Sequence, residues 1–134
     1  MWALQSCFDT GYKYVYQIEN WTDQTITIDA VIRKSNYSAE EKSWTVAPGE
    51  TVQVASHGGI NGPDYVPPDE WRLVYPEQLI PRTFAIFDLT IRVGDVLLHD
   101  DARQSKQWDF ESKKHLGAYT LRITKERVEE FGIQ

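Results

Sequence analysis

Apolar and polar residues alternate along the first quarter of the chain. In two segments, 12–19 and 25–33, apolar side chains stand at every second position: Tyr12, Tyr14, Tyr16 and Ile18, then Ile26, Ile28, Ala30 and Ile32. Successive side chains of a β-strand point to opposite faces, so this pattern predicts two half-buried strands. The intervening residues 20–23 are rich in turn formers, which predicts that the two strands pair as a hairpin.

Weaker strand signals follow in the middle of the chain. Residues 34–42 are polar and indicate a loop, after which a short strand begins at Trp44. Pro48 and Gly49 predict a turn, because proline presets its φ and glycine accepts a positive φ. A further strand is expected over 51–55.

The segment 83–93 is the most apolar strand candidate, and its pattern contains an irregularity. The apolar positions change parity between Ile86 and Phe87. Such a change predicts either a β-bulge or burial on both faces. The dipeptide at 94–95 suits a two-residue hairpin turn that leads into a strand over 96–98.

The last part of the chain predicts two strands and a short helical turn. One strand is expected around Trp108 and another over 118–124, while residues 125–131 indicate the helical turn, with Gly132 as its cap. About eight short strands in total predict an all-β fold. We expect an antiparallel two-sheet sandwich of the immunoglobulin-like kind in preference to a barrel.

Length and composition are those of one globular domain. The chain has 134 residues, of which 41% are hydrophobic and 25% charged. We assign residues 1–10 to a truncated signal with a lipobox and an N-terminal tether, and residues 11–134 to a single sandwich domain. The net charge of −6 argues against nucleic-acid binding, which relies on basic surfaces. No apolar run approaches the roughly 20 residues of a membrane-spanning helix.

The single cysteine gives the main clue to location. Residues 4–7, Leu-Gln-Ser-Cys, match a bacterial lipobox, in which the thiol of the cysteine accepts a lipid. Cys7 is therefore a candidate lipidation site. Only residues 1–4 precede the match, fewer than the apolar stretch of a secretory signal. Two interpretations stay open: the sequence begins within such a signal, or Met1 is the native start and the match is chance.

The order of these features resembles small lipoproteins of the Bacteroidetes that carry an immunoglobulin-like sandwich. The matching pieces, which span most of the chain, are Ser6-Cys7, residues 14–20, 46–51 and 87–91, Trp108, and residues 119–124. The resemblance implies export and a β domain anchored in the cell envelope, as a periplasmic or outer-membrane lipoprotein. It implies no activity. The short stretch before Cys7 is the departure from the family pattern.

Aromatic residues suggest a second interpretation. The chain has five Trp and seven Tyr. Three of them lie in or beside the Gly- and Pro-rich stretch 57–69: Tyr65, Trp71 and Tyr75. Aromatic rings exposed on a loop can stack against sugar rings, so these three are the candidate ligand-binding residues. Others, such as Trp108 and Tyr119, stand at strand positions that indicate an ordinary core role.

Enzyme and metal motifs are weak. The sequence has no Gly-x-Ser-x-Gly elbow and no phosphate-binding P-loop, and it suggests no cofactor. His99 and the two aspartates after it lack the spacing of zinc motifs and indicate a polar loop. Asn20 and Asn36 each begin a glycosylation sequon, a pattern that also arises by chance.

These observations predict a non-enzymatic, extracytoplasmic binding or structural module, lipid-anchored at Cys7. Its partner would be an envelope protein or a glycan, and its only membrane contact the N-terminal lipid. Two alternatives remain: a carbohydrate-binding module with an exposed aromatic surface, and a hydrolase or a hydrolase subunit.

Overall fold

The computed structural model describes residues 12–35, 38–59, 86–99, 102, 107–113 and 116–133. These residues form nine strands and one helix. In chain order the elements are β1 (Tyr12–Asn20), β2 (Ile26–Ser35), β3 (Ser38–Val46), β4 (Thr51–Gly59), β5 (Ile86–Val93), β6 (Val96–Leu98), β7 (Asp109–Lys113), β8 (Leu116–Ile123), α1 (Lys125–Phe131) and β9 (Gly132–Ile133).

The strands form two sheets. One has four strands in the order β4-β1-β8-β7, and the other has five in the order β3-β2-β5-β6-β9. Neighbouring strands are antiparallel except β1 and β8, which pair in parallel from Lys13↔Leu116 to Asn20↔Ile123. The predicted all-β two-sheet sandwich with a short C-terminal helix is confirmed.

A single apolar core lies between the sheets. The inward side chains of β1, β2 and β8 are those that the alternating pattern marks: Tyr14, Tyr16, Ile18, Ile26, Ile28, Ala30, Ile32, Tyr119, Leu121 and Ile123. The rings of Tyr16 and Tyr119 stack with their centroids 4.8 Å apart. Trp108 is buried as expected, and its indole N–H donates to the Ala102 carbonyl at 2.6 Å.

The predicted hairpin of β1 and β2 is wrong. The two strands lie in different sheets, so that β1 pairs with β4 and β8 while β2 pairs with β3 and β5. Residues 21–25 cross from one sheet to the other. The alternation only requires that each strand has one buried face, and two strands facing each other across a core satisfy it as well as two side by side.

In the polar segment 34–42, residues 34–35 and 38–42 are strand rather than the predicted loop. β2 continues to Ser35, and β3 already begins at Ser38, with Ile32 paired to Glu40. β3 is the last strand of its sheet in the described part of the chain, and most of its side chains are exposed. Charged residues are typical of edge strands, where they discourage pairing with other chains. They also remove the alternation of apolar and polar residues by which a strand is predicted.

The predicted irregularity in β5 is a bulge. Val31 pairs with Asp88 but Ile32 pairs with Ile86, so Phe87 is the extra residue. The bulge lets Ile86 and Ile91 both face the core although their positions differ in parity. As a result, the side chain of Phe87 is on the surface, beneath the guanidinium of Arg33.

The C-terminal helix follows the prediction, with a difference at its end. The Thr124 hydroxyl caps α1 by accepting from the Arg127 amide at 3.2 Å. Gly132 caps the other end through its own N–H, which donates to the Val128 carbonyl. Its φ is −82°, so it is not the left-handed cap typical of glycine. Glycine is needed at this position because there is no room for a side chain. A Cβ here would lie 2.4 Å from the Val128 oxygen and 2.5 Å from Cγ1 of Val96.

We therefore expect Gly132→Ala to weaken the packing of α1 and β9 against β6. The added methyl group meets backbone, which cannot move aside as a side chain can, and overpacking of this kind costs about 1–3 kcal/mol. Urea denaturation measures the loss, and amide hydrogen exchange at Val128 shows whether α1 opens. Ile133→Ala, at an exposed neighbour, is the matched control. Equal stability of the two variants would show that the glycine is not needed for space.

Candidate functional site

Trp21 has the most exposed large apolar side chain in the described part of the chain. It is 62% exposed, compared with 39% for Phe87 and 52% for Ile133. A tryptophan combines a large apolar ring with one polar N–H and is enriched where proteins contact their ligands and partners. The surroundings of Trp21 are therefore a candidate functional site.

Two hydrogen bonds hold Trp21 in place. Its backbone N–H donates to the carbonyl of Ile123, the last residue of β8, at 2.8 Å. Its indole N–H donates to Oε1 of Glu19, near the end of β1, at 2.7 Å. The ring is thus exposed and yet positioned by the two central strands of the four-stranded sheet.

Charged side chains surround the ring on the outer face of that sheet. Arg122 of β8 lies beside Glu19 in the parallel register and donates from Nε to the same Oε1 at 3.0 Å. Its Nη1 donates to a carboxylate oxygen of Asp109 on β7. The guanidinium carbon lies 5.9 Å from the centroid of the Trp21 ring, within the range of a cation–π contact. We call Glu19, Trp21, Asp109 and Arg122 the Trp21 corner.

Exposed ion pairs of this kind add little to folding stability. The side chains of Arg122 and Asp109 are well exposed to solvent, and such pairs contribute roughly 0–1 kcal/mol. The network orients the guanidinium of Arg122 and the carboxylates of Glu19 and Asp109 around the ring of Trp21. Its main effect is on the geometry of the surface.

Asn20 anchors the loop that carries Trp21. Its side chain is 1% exposed, and its Nδ2 donates to the carbonyls of Gln24 at 2.7 Å and Val46 at 3.0 Å. Its Oδ1 accepts from the backbone N–H of Thr22 at 2.9 Å and from the Thr22 hydroxyl at 2.7 Å. The amide therefore ties the loop to the end of β3. In the folded protein this buried amide is not accessible for glycosylation, although Asn20 begins a sequon.

A pocket of about 410 Å³ opens beside Trp21. Its lining residues come from the end of β1, the loop after it, the turn before β4 and the first residue of β4: Glu19, Asn20, Trp21, Thr22, Gly49 and Thr51. The turn is held to β1 by the Gly49 N–H, which donates to the Asn20 carbonyl at 2.9 Å. Gly49 has a φ of +82°, the conformation that the predicted Pro-Gly turn requires. The pocket volume lies within the range of small-ligand sites.

A second, smaller pocket of about 280 Å³ lies on the outer face of the five-stranded sheet. Its acidic lining residues are Asp29, Glu41 and Asp88, and Ser43 donates to Asp29 at 2.5 Å. No aromatic side chain is among its described lining residues. Without an exposed aromatic ring, this pocket is less suited to hold a ligand than the Trp21 corner.

The site residues predicted from the sequence are not among those that the structure describes. Cys7, Tyr65, Trp71 and Tyr75 all lie outside the described ranges, so their roles stay predictions. Trp21 was missed because the sequence places it in a turn. The usable signal was a lone large aromatic among turn-forming polar residues, where no strand or helix periodicity assigns it to the core.

The structure shows no metal centre within its described residues, where no three His, Cys, Asp or Glu side chains form a suitable group. His99 is exposed at the end of β6, and the two aspartates that follow it lie outside the described ranges. No helix in the same ranges has the length and apolar character needed to cross a membrane.

Comparison with known proteins finds no relative of this chain. The chain matches no protein-family model, no curated protein sequence and no solved structure. The class that the fold defines is an all-β two-sheet sandwich, and function has to be argued from the site itself.

Proposed function

We propose that this protein is a non-enzymatic binding module that works outside the cytoplasm, anchored by a lipid on Cys7, and that the Trp21 corner contacts its ligand. The observation that carries the proposal is a tryptophan that is 62% exposed and held at both its backbone and its indole N–H. The sandwich supplies the rigid frame, and the corner supplies the contact groups.

Preorganisation supports a binding role. Binding with a mobile side chain loses affinity because the side chain must be ordered first, at about 0.5–1.5 kcal/mol for each one. The Trp21 indole already donates a hydrogen bond to Glu19, and Arg122 already donates hydrogen bonds to Glu19 and Asp109. The groups that would meet a ligand are in position before it arrives.

An anchor at Cys7 is compatible with the direction of β1. Cys7 precedes the Tyr12 end of β1 in the sequence, whereas Trp21 follows the Asn20 end. A strand rises by about 3.3 Å per residue, so the Tyr12 and Asn20 ends of β1 are roughly 26 Å apart. A lipid on Cys7 would then join the chain before the Tyr12 end of β1, whereas the Trp21 corner lies at the opposite end of this strand. The resemblance to envelope lipoproteins supports the same location.

We expect the wild-type protein, expressed from its complete native gene, to incorporate labelled palmitate and to sediment with membranes. Cys7→Ala should abolish both, because alanine has no thiol to accept the lipid. Labelling followed by membrane fractionation measures the two effects together.

Trp21→Ala is the matched control for this experiment. It changes the far end of β1 and should stay labelled and membrane-bound. If the wild type and Cys7→Ala are both unlabelled and stay in the cytosol, the proposed location and anchor are wrong.

A further inference from the structure

We infer that the Trp21 corner binds uncharged carbohydrate. The inference rests on the proposed function, since it requires that the corner is a binding surface, and it goes further by naming the chemical class of the ligand. Three properties of the corner carry it: an accessible ring, paired donors and acceptors at its edge, and a negative charge balance.

The ring supplies an apolar platform. The C–H face of a pyranose is apolar and packs against an aromatic surface, while its hydroxyl groups stay at the rim. The guanidinium carbon of Arg122 lies 5.9 Å from the ring centroid of Trp21 and so occupies one side of it. Because Trp21 as a whole is 62% exposed even with this contact, the rest of the indole is open to a flat ligand.

The edge of the ring supplies the hydrogen bonds that a sugar needs. Each hydroxyl group both donates and accepts, so a sugar site works best when donors and acceptors lie close together. Arg122 gives one N–H to Glu19 and one to Asp109, and its guanidinium has three further N–H groups. Glu19 and Asp109 each have a second carboxylate oxygen that can accept from a sugar hydroxyl. The adjoining pocket of about 410 Å³ adds the hydroxyl-bearing residue Thr51 and gives space for a further sugar unit.

The charge balance selects among carbohydrates. The corner carries two carboxylates, Glu19 and Asp109, against one guanidinium, Arg122, and the whole chain has a net charge of −6. Uronic acids, sulfated sugars and phosphates would meet repulsion at this surface. Uncharged sugars would not.

The dimensions favour a glycan over a protein partner. Protein interfaces of ordinary strength bury about 800 Å² on each side around several apolar anchors. Among the described residues, the corner presents a single large apolar side chain next to a pocket of small-ligand size. This arrangement suits one or two sugar rings.

The test titrates the full chain with hexamers of four uncharged sugars and one acidic sugar: β-1,4-glucan, β-1,3-glucan, mannan and xylan, with polygalacturonate as the anionic probe. Calorimetry measures affinity, and tryptophan fluorescence reports contact with an indole. We expect at least one uncharged hexamer to bind and the polygalacturonate hexamer to bind more weakly.

Two variants assign the binding to the corner. Trp21→Ala should weaken it roughly 10- to 30-fold, because a truncated aromatic anchor loses its whole contact surface. Trp21→Phe keeps a smaller ring but loses the bond to Glu19, so its affinity should be intermediate. Phe87→Ala, at an exposed aromatic of the other sheet, is the matched control and should bind like wild type. Circular dichroism of each variant confirms that it is folded.

The outcomes separate this inference from the proposed function. If the polygalacturonate hexamer binds better than every uncharged one and Trp21→Ala removes it, the ligand class is wrong although the corner is a binding site. If an uncharged hexamer binds equally well to wild type and to Trp21→Ala, the corner is not the site and both proposals about it are overturned. If no hexamer binds at millimolar concentration, the carbohydrate inference is overturned, and the palmitate experiment still decides location and anchoring independently.

Discussion

Tyr119→Ala should lower the free energy of unfolding by about 3–5 kcal/mol, as expected when a fully buried aromatic side chain is truncated. Tyr119 is 2% exposed and lies on β8 at the centre of the aromatic part of the core. The centroid of its ring lies 4.8 Å from the ring centroid of Tyr16 and 4.8 Å from that of Phe110. Alanine would leave a cavity lined by these rings. Because small domains are stable by only about 5–15 kcal/mol, this is a large fraction of the total.

Urea denaturation followed by circular dichroism measures this loss. Tyr119→Leu keeps part of the volume and should lie between wild type and Tyr119→Ala. Phe87→Ala is the surface control: its aromatic ring is 39% exposed at the β5 bulge, and its loss should cost less than about 1 kcal/mol. If Tyr119→Ala were no more destabilising than Phe87→Ala, the aromatic cluster would not be the centre of the core.

Asn20→Ala should cost about 2–4 kcal/mol although it removes few atoms. The side-chain amide of Asn20 donates hydrogen bonds to the carbonyls of Gln24 and Val46 and accepts two hydrogen bonds from Thr22. Without it, the Val46 carbonyl and the Thr22 N–H lose a partner, and each buried polar group left unsatisfied costs about 1–3 kcal/mol. The loop should then lose its fixed conformation, and Trp21 its position.

Chemical denaturation gives the stability of this variant, and the glucan, mannan and xylan titrations give its binding. Asn20→Asp keeps the two accepted hydrogen bonds but replaces the donor with an oxygen that faces two carbonyls, so it should be at least as destabilising. Thr25→Ala, at an exposed position of the same loop, should be nearly neutral. Wild-type stability in Asn20→Ala would mean that the loop is held by something other than this amide.

Periodicity in the sequence predicted which residues are buried better than it predicted which strands are neighbours. Ile18 and Ile26 face the core as the alternation requires. The alternation does not show whether their two strands form a hairpin. A short polar connection between two strands occurs both in hairpins and in crossings from one sheet to the other. The deciding contacts are those of Asn20 with Gln24 and Val46, which join the end of β1 to the other sheet and involve a residue distant in sequence.

Two departures from regular strand structure, the bulge in β5 and the C-terminal helix, are predictable because the sequence pattern changes at each of them. The parity change at Phe87 indicated the bulge, and the segment 125–131 indicated the helix. β3 carries no such signal, since an edge strand is stabilised by its backbone pairing with β2 and its side chains are free to be polar. The Trp21 corner could not be predicted because Glu19, Asp109 and Arg122 meet only when β1, β7 and β8 are assembled.

The parallel pairing of β1 with β8 has a consequence for the order in which the protein folds. The hydrogen bond from Gln17 to Thr120 spans 103 residues, so β1 lacks β8, its parallel neighbour, until residues 116–123 have been made. Closing loops of this length costs entropy before any contact is gained, and domains rich in such contacts fold in milliseconds to seconds. β1 can pair with β4 once residue 59 has been made, but its other edge has no partner until β8 follows. During that interval the tyrosines of β1 must stay in solution without aggregating.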